Sequence, residues 1–568
     1  MKRLIPLAFV IFFLIANRGA YKGFFDGDDL DNLAMTHNLP SSYFAEKLVT
    51  PQLDQSNFRP VGHALYHFFG RQAGLNFPLY IGALHTIHLL NVFLLWLVLR
   101  ALGFAPLNAA FGLLLFAFNM GAFEIYWKPM YIFDLLCATF TLTSLLLWLH
   151  NRWVLSLIAF WCAFKSKEVA IALPVMLAAL EFTRGTKRFR QIIPFVAVSL
   201  NFGIQAAIGN RGRDNDYTLR FTWNALKTCV AFYGHRILIV PYGTAFVAAL
   251  LFVNDKRARF GVVALLLFMA PMLFLPGRLF GAYLYVPLIG LSIAAAAFST
   301  KAGRITTAAV ALIWLPLNYR EMQHRRKEQL TIADENRAYM TKVQQLIRDN
   351  PRTNSFIFDR SPEGLHSWGV RAAVRYALLP SVTFHDAEAG TPEALALLKT
   401  PNLAFLMWDP THHHFNTVAR QDDQLDAPYI AMNAATPLWQ FDEGWHGLEA
   451  TFKWTNIVAR AHLARPAGST HFEVLVNVGP LLIEKLKKTK LEIMIDGVKI
   501  GEKEFETPGW RTLAFEAPTS TKPMAQVEFK SSPGFFYEDH NPADALGIAV
   551  SGFGFPTPQY PAVPPPVQ

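Results

Sequence analysis

Cysteine is scarce in this chain, with only Cys137, Cys162 and Cys229 among 568 residues and none beyond them. Cys137 and Cys162 sit inside apolar runs, so no disulfide framework is implied. An exported domain in the second half must hold together by its hydrophobic core alone. Charge is scarce too: Asp, Glu, Lys and Arg make up 17% of the residues, against 52% hydrophobic and 14% aromatic. With a mean hydropathy of +0.24, that falls well short of the about 25% charged residues of a soluble domain. An ordinary soluble enzyme is therefore excluded in favour of a polytopic membrane protein. Also missing are a glycine-rich phosphate loop, a Ser-His-Asp order with supporting context and any nucleic-acid module. The net charge of +10 is accordingly not read as nucleic-acid affinity. The basic residues fall between hydrophobic runs, which is a topology signal.

What is present is a series of apolar segments from Leu4 to Leu317. A helix needs ~20 such residues to cross a bilayer. Spans are expected near 4–19, 78–102, 107–123, 131–149, 153–164, 168–183, 191–208, 242–253, 260–276, 281–298 and 305–318, which makes about eleven, several of them short. The first also reads as a signal-peptide core behind MKR. MKR, Arg100, NRW at 151, TRGTKRFR at 183, NDKRAR at 254 and STKAGR at 299 fall on one side, the positive-inside pattern. The N-terminus is then cytoplasmic. The opposite loops are 20–77, 124–130, 165–168, 209–241 and 276–283, and function is expected there.

An odd number of spans places everything from about residue 320 outside the membrane. IADENRAYMTKVQQLIRD has a helical period, while SFIFD and LAFLMWD read as buried strands, so 320–435 is expected to be a small α/β domain. From 436 to 556 the pattern is HFEVLVNV, KLEIMIDGVKIGEKEFE with an Asp496-Gly497 turn, WRTLAFEA, AQVEFKSS and ALGIAVSGFGF. That is an antiparallel β-sandwich. A proline-rich tail, 557–568, closes the chain.

The stretch FDGDDLDNL at 25–33 puts Asp26, Asp28, Asp29 and Asp31 right behind the first apolar run. Carboxylates at a low-dielectric boundary gain affinity for protons, cations and hydroxyl donors. Asp26 and Asp31 read as helix-starting and solvated residues. Asp28 and Asp29 are the candidates for a general base.

FFDGDDLDNL, SNFRP at 56–60 and FPLYIGALHTIHLLN at 77–91 together resemble the first outer loop and second span of GT-C glycosyltransferases that use polyprenyl-phosphate sugars. The pattern is similar to the protein O-mannosyltransferase branch with transmembrane and tetratricopeptide-repeat parts. FEIYWKPMYIFDLLCATFTLTSLL at 123–146, SKEVAIALPV at 166–175 and GRLFGAYLYVPLIGL at 277–291 extend the resemblance in order over roughly 1–318. It aligns Glu124, Asp134, Lys167, Glu168, Arg278 and Tyr285 with family positions, and His88 and Asn91 with a His-x-x-Asn pattern. Two features depart from the family: Ile132 stands where an arginine precedes the acid, and the C-terminal repeats are replaced by a different ectodomain.

The resemblance implies a GT-C-like transmembrane catalytic domain over 1–319 that transfers a sugar, in the branch it resembles a mannosyl group, from a polyprenyl-phosphate donor to an extracytoplasmic hydroxyl of a protein or glycan, with inversion. An acceptor hydroxyl needs a carboxylate to take its proton, which assigns Asp28 or Asp29 as base, Asp28 first. A lipid phosphate at the interface needs cations, for which Arg278, Arg59, Lys167 and Lys128 are the candidates. Glu124, Asp134, His88, Asn91, Glu168 and Tyr285 support them. The lipid bilayer is the other partner, nucleic acid is not, and a bacterial inner membrane is the expected location. A transporter or flippase of lipid-linked saccharides and a non-catalytic scaffold with a glycan-binding sandwich stay open. No cofactor is assigned, and the acidic loop leaves room for a divalent cation.

Two further sets were weighed. His63 and His67, His85 and His88, and His412 to His414 have spacings that invite a metal, yet VGHALYHFFGRQAG is also what an amphipathic helix lying on a membrane looks like, and no metal is assigned. Trp439, Trp445, Trp454 and Trp510 stack well on sugars, but sandwich cores also need large rings.

Overall fold

The computed structural model describes residues 4–52, 58–209, 214–239, 243–377, 382–387, 392–409, 414–420, 425–433, 436–449, 451–536 and 545–565. His412 and His413, Ser56 and Asn57 of SNFRP, and the end of the proline-rich tail lie outside them. The chain packs as two units, Met1–Asp334 and Glu335–Gln568.

The first unit is helical. Behind α1, Leu4–Asn17, the first outer loop folds into α2, Gly27–His37, α3, Ser41–Val49, and α4, Pro60–Gln72. Then follow α5, Phe77–Ala101, α6, Pro106–Ala117, the single turn α7, Glu124–Trp127, α8, Ile132–Leu149, and α9, Trp153–Ser166. The series continues with α10, Leu173–Arg184, α11, Ile193–Gly209, α12, Trp223–Arg236, α13, Gly243–Ala249, and α14, Lys256–Met269. The last, α15, Leu288–Asp349, includes residues of both units.

Each expected apolar run is helical, but the expectation of about eleven spans is not reproduced. Among the described residues three helices are long and apolar enough to cross a membrane: Phe77–Ala101, Pro129–Leu149 and Phe189–Ile208. Three of the other runs are interrupted for local reasons. The run at 107–123 breaks where the Asn119 side chain accepts from the Gly121 N–H. That at 260–276 stops at Met269, just ahead of Pro271. The run at 281–298 starts as a 3-10 turn and becomes α-helical only past Pro287, whose ring disfavours helix before it. Finally, 305–318 is one stretch of α15, which bends at Gly303 (φ 79°), a conformation glycine adopts without steric cost.

Small residues let these helices touch. A Cβ on Gly261 of α14 would stand 2.6 Å from the Gly290 carbonyl oxygen, and one on Gly290 of α15 would stand 2.4 Å from the Leu265 nitrogen. The two backbones pack directly, as small-residue interfaces allow.

The second unit holds a sheet of β1, Ser355–Asp359, β2, Thr383–Asp386, β3, Leu403–Asp409, and β4, His414–Arg420, in the order β2-β1-β3-β4. β1 is parallel to β2 and β3, and β4 is antiparallel to β3. Helices α16, His366–Ala377, and α17, Pro392–Leu398, connect the parallel strands.

A sandwich follows. Its strands are β5, Tyr429–Ala431, β6, Trp445–Leu448, β7, Lys453–Thr455, β8, Val458–Ala464, and β9, His471–Val478. They continue with β10, Thr489–Ile495, β11, Val498–Phe505, β12, Gly509–Glu516, β13, Met524–Ser532, and β14, Ala549–Gly554. One sheet runs β11-β10-β13-β8 and the other β12-β9-β14-β7-β6, with β5 beside β14. Alternating residues such as Leu491, Ile493 and Ile495 are buried while their neighbours face outward. The turn from β10 to β11 has positive φ at both Asp496 (51°) and Gly497 (81°), the type I′ geometry that Asp-Gly favours. Trp439 and Trp445 are buried, and Trp445 stacks on Phe553 at 5.7 Å. Those two fill core; Trp454 and Trp510 are half-buried.

Candidate functional site

The acidic loop begins α2. Asp26 and Asp29 form a capping box, in which the Asp26 N–H donates to Asp29 Oδ2 at 3.0 Å. Tyr66 of α4 donates its hydroxyl to the other oxygen, Oδ1, at 2.8 Å. Both oxygens of the fully buried Asp29 are thus engaged within the chain. Burial, then the Asp26 carboxylate, push its pKa up to about 8 against the pull of those hydrogen bonds. Asp26, expected to be a bland cap, is also the partner of Lys128, whose Nζ is 2.6 Å from Oδ2. Burial opposes the Lys128 cation, but Asp26 outweighs it and the pKa rises. Asp28 is the half-buried member of the cluster. Its carbonyl accepts from Asn32 Nδ2 at 2.7 Å.

The candidate cations divide by their partners. Arg59, preceding α4, grips Glu168 with Nε to Oε1 at 2.9 Å and Nη2 to Oε2 at 3.2 Å. Lys167 donates to Asp134 Oδ2 at 2.7 Å, with both side chains buried, and its Nζ lies 4.8 Å from the Tyr283 ring centre. The first turn of α8 presents Asp134 to this lysine, which caps the end of α9. Glu124 Oε1 is 3.4 Å from Arg325, which also holds Glu321 at 2.6 Å.

Arg278 has no ion pair among the described residues, and its Nε is buried without a hydrogen-bond partner. Its guanidinium stacks over Tyr217 at 4.4 Å and Phe280 at 4.7 Å. Burial works against its charge, but Tyr283, Tyr217 and the Asp28 carboxylate outweigh it and raise the pKa. Asp28 thus lies within electrostatic reach of Arg278 although the two are far apart in sequence.

His88, Asn91 and Tyr285 form one buried knot. Asn91 Nδ2 donates to Tyr285 Oη at 3.2 Å and to the Leu135 carbonyl at 2.9 Å. The tyrosine hydroxyl in turn meets His88 Nδ1 at 2.8 Å, and Thr139 donates to Asn91 Oδ1 at 2.7 Å. These groups tie α5 and α8 to Tyr285, just ahead of α15; His88, Asn91 and Tyr285 are fully buried.

The histidine pairs are spent on structure. His63 Nδ1 accepts from the Arg59 N–H at 2.8 Å, leaving Nε2 to donate to Asn32 Oδ1 at 2.9 Å. His67 bonds the Thr36 carbonyl and His85 the Tyr126 carbonyl. Among the described residues no three of His, Cys, Asp and Glu come together as a metal site.

Sequence reading missed Tyr66, Tyr283, Arg325 and Arg236. Arg236 ends α12 with its Nε buried and unbonded, 3.7 Å over the Phe232 ring. Single tyrosines and arginines carry no spacing signal, so only the fold brings them in.

No family model and no curated protein matches the sequence. Solved structures do. The chain is similar to ArnT from Cupriavidus metallidurans, solved bound to undecaprenyl phosphate, with 12% identity and a TM-score of 0.47 over 72% of this chain and 93% of that one. It is also similar to the arabinofuranosyltransferase AftD from Mycobacteria, with 11% identity and a TM-score of 0.38 over 97% of this chain and 61% of that one. At such identities and scores the likeness says nothing of function or of individual residues.

Proposed function

We propose that the chain is a membrane glycosyltransferase of GT-C type that moves a sugar from a polyprenyl-phosphate donor to an extracytoplasmic hydroxyl, with Asp28 as base and Arg278 on the donor phosphate. The observation that carries this reading is that Arg278 has a buried Nε with no hydrogen-bond partner, while Asp29, Lys128, Arg59 and Lys167 are engaged by other side chains. Asp28 takes the proton from the acceptor O–H, and the oxygen forms its bond to the anomeric carbon on the face opposite the phosphate. The carbon–oxygen bond to phosphate breaks, its electron pair leaves with the polyprenyl phosphate, and Arg278 stabilises the charge that gathers there. One displacement inverts the anomeric centre.

Asp29 then belongs to the frame: protonated near neutral pH, it is a poor base, and its bonds fix the turn that presents Asp28. Arg59–Glu168 and Lys167–Asp134 hold loop 165–168 against the first outer loop and α8. In this reading the basic loops are cytoplasmic, the shorter apolar helices complete the membrane domain over 1–319, and the domains at 320–435 and 436–556 lie outside.

The test is release of undecaprenyl phosphate, read by mass spectrometry, from a panel of undecaprenyl-phosphate sugars including the mannosyl donor, with the full chain in nanodiscs. Asp28→Asn should bind donor and release ~10²–10⁴-fold less. Release at the unmutated rate would remove Asp28 from the chemistry.

A further inference from the structure

A cavity of about 400 Å³ opens between α3 and α4, two helices of the first outer loop. Small-molecule sites enclose ~300–1,000 Å³. The end of α4 supplies His67, Phe68, Arg71 and Gln72, which are three and four residues apart and so share one helix face. Ser41 and Phe44, also three apart, come from α3.

The wall is unbalanced in charge. Arg71 brings a cation, and no carboxylate lines the cavity. Among the described residues Arg71 has no ion pair, and the side chains of Ser41 and Gln72 make no hydrogen bond. Water can satisfy such groups on any surface. The second observation is His67, which is only 8% exposed. Its Nδ1 lies 2.9 Å from the Thr36 carbonyl oxygen. A carbonyl only accepts, so Nδ1 carries the proton and Nε2, in the neutral ring, is an acceptor. Among the described residues nothing donates to Nε2, and the ring opens on the cavity. Polar groups on a side chain so buried are nearly always bonded.

This set selects the ligand. Arg71 calls for an anion whose oxygens receive its planar fork, and Ser41 and Gln72 donate to further oxygens. His67 Nε2 needs the reverse, a group that donates. An ionised carboxylate has no donor, and neither has a phosphodiester. A phosphomonoester loses its second proton near pH ~6, so about neutrality it offers charged oxygens and, while singly protonated, a P–OH. Phe44 and Phe68 supply apolar wall, and Phe68 is 56% exposed, a surface along which a lipid chain can lie.

We propose that the cavity between α3 and α4 binds a phosphomonoester, with Arg71, Ser41 and Gln72 donating to its oxygens and its hydroxyl donating to His67 Nε2. The donor in the proposed transfer is a phosphodiester held at Arg278. This site is separate and does not rest on that reaction.

The experiment is native mass spectrometry of the full chain in detergent. It is titrated with dioleoylphosphatidic acid and undecaprenyl phosphate, two lipid monoesters, with dioleoylphosphatidylglycerol, a diester, and with glycerol 3-phosphate, a monoester without chains. At least one monoester should form its first adduct about tenfold tighter than the diester, the weight of one or two hydrogen bonds. Arg71→Ala should erase that preference, and because Arg71 is exposed it should not lower the melting temperature. His67→Asn keeps an amide for the Thr36 carbonyl but removes Nε2, and should erase the preference too. Arg278→Ala should leave it intact. Lipid monoesters binding tighter than glycerol 3-phosphate make a lipid the source, equal binding makes it a soluble phosphate, and both uphold the proposal. No preference over the diester, a preference that survives Arg71→Ala or His67→Asn, or its loss in Arg278→Ala would each overturn it.

Discussion

Tyr66 donates its hydroxyl to the buried carboxyl of Asp29 across 2.8 Å, joining α4 to the first turn of α2. The pair makes Asp29 a structural proton carrier. With a folded pKa of about 8 against an ordinary value near ~3.9, the native state holds a proton that the unfolded chain releases between those values. Stability from this site is fully present below about pH 4 and is lost as pH rises through 8. Asp29→Asn should flatten the fall in melting temperature between pH 5 and 8 and leave sugar transfer within a few-fold of the parent. A drop in transfer as deep as that of Asp28→Asn would return Asp29 to the chemistry.

Arg278→Ala should weaken donor binding by losing a charge-assisted contact of roughly 1.5–3 kcal/mol, a tenfold to hundredfold rise in the donor KM with a smaller change in kcat. Arg278→Lys keeps the charge without the planar fork and should recover part of the loss. Titration with undecaprenyl phosphate by calorimetry checks this apart from turnover. Equal affinity for parent and Ala variant would place the phosphate elsewhere.

Lys167 and Asp134 form a buried pair at 2.7 Å. Removing one partner strands a charge and costs about 3–5 kcal/mol, while replacing both by neutral groups costs far less. Lys167→Met and Asp134→Leu should each lower the melting temperature of the detergent-solubilised protein, and the double variant should regain most of it. Additive losses would mean that the two act independently.

Lys453 of β7 is buried, donates to the His446 carbonyl at 2.5 Å and has its pKa lowered to about 7 by burial, against some support from Asp359. The unfolded lysine holds its proton up to about pH 10.4, so between about 7 and 10 the unfolded state binds more protons and stability rises with pH. Lys453→Met should raise the melting temperature at pH 7 and abolish that rise. A parent protein whose stability is flat from pH 7 to 9 would contradict the burial argument.

Much of this was legible in the residues. The apolar runs found the helices, and the Asp496-Gly497 turn found its hairpin, because period and turn chemistry are local. The strands β2 and β4 escaped because TFHD and HFNTVAR have no apolar period of their own and are made strands by pairing with β1 and β3. Helix lengths escaped for a related reason: Asn119, Pro271 and Pro287 interrupt runs that hydropathy alone joins. Within the candidate site, the outer-loop motifs picked out single side chains, but not their division into pairs. That Asp26 belongs to Lys128, Asp134 to Lys167 and Glu168 to Arg59 follows from crossings between helices, which no spacing along the chain encodes.

The contact between Gly261 and Gly290 has a bearing on where harmful substitutions should be sought. It staples together the two helices, α14 and α15, between which the segment carrying Arg278 is strung. The segment is like a bowstring, held true by the stiffness of its limbs. A methyl group added at either glycine would pry the limbs apart and slacken the string, so, on the role proposed for Arg278, a lesion with no charge and no view of the substrate would be recorded in an assay as poor grip on the lipid phosphate.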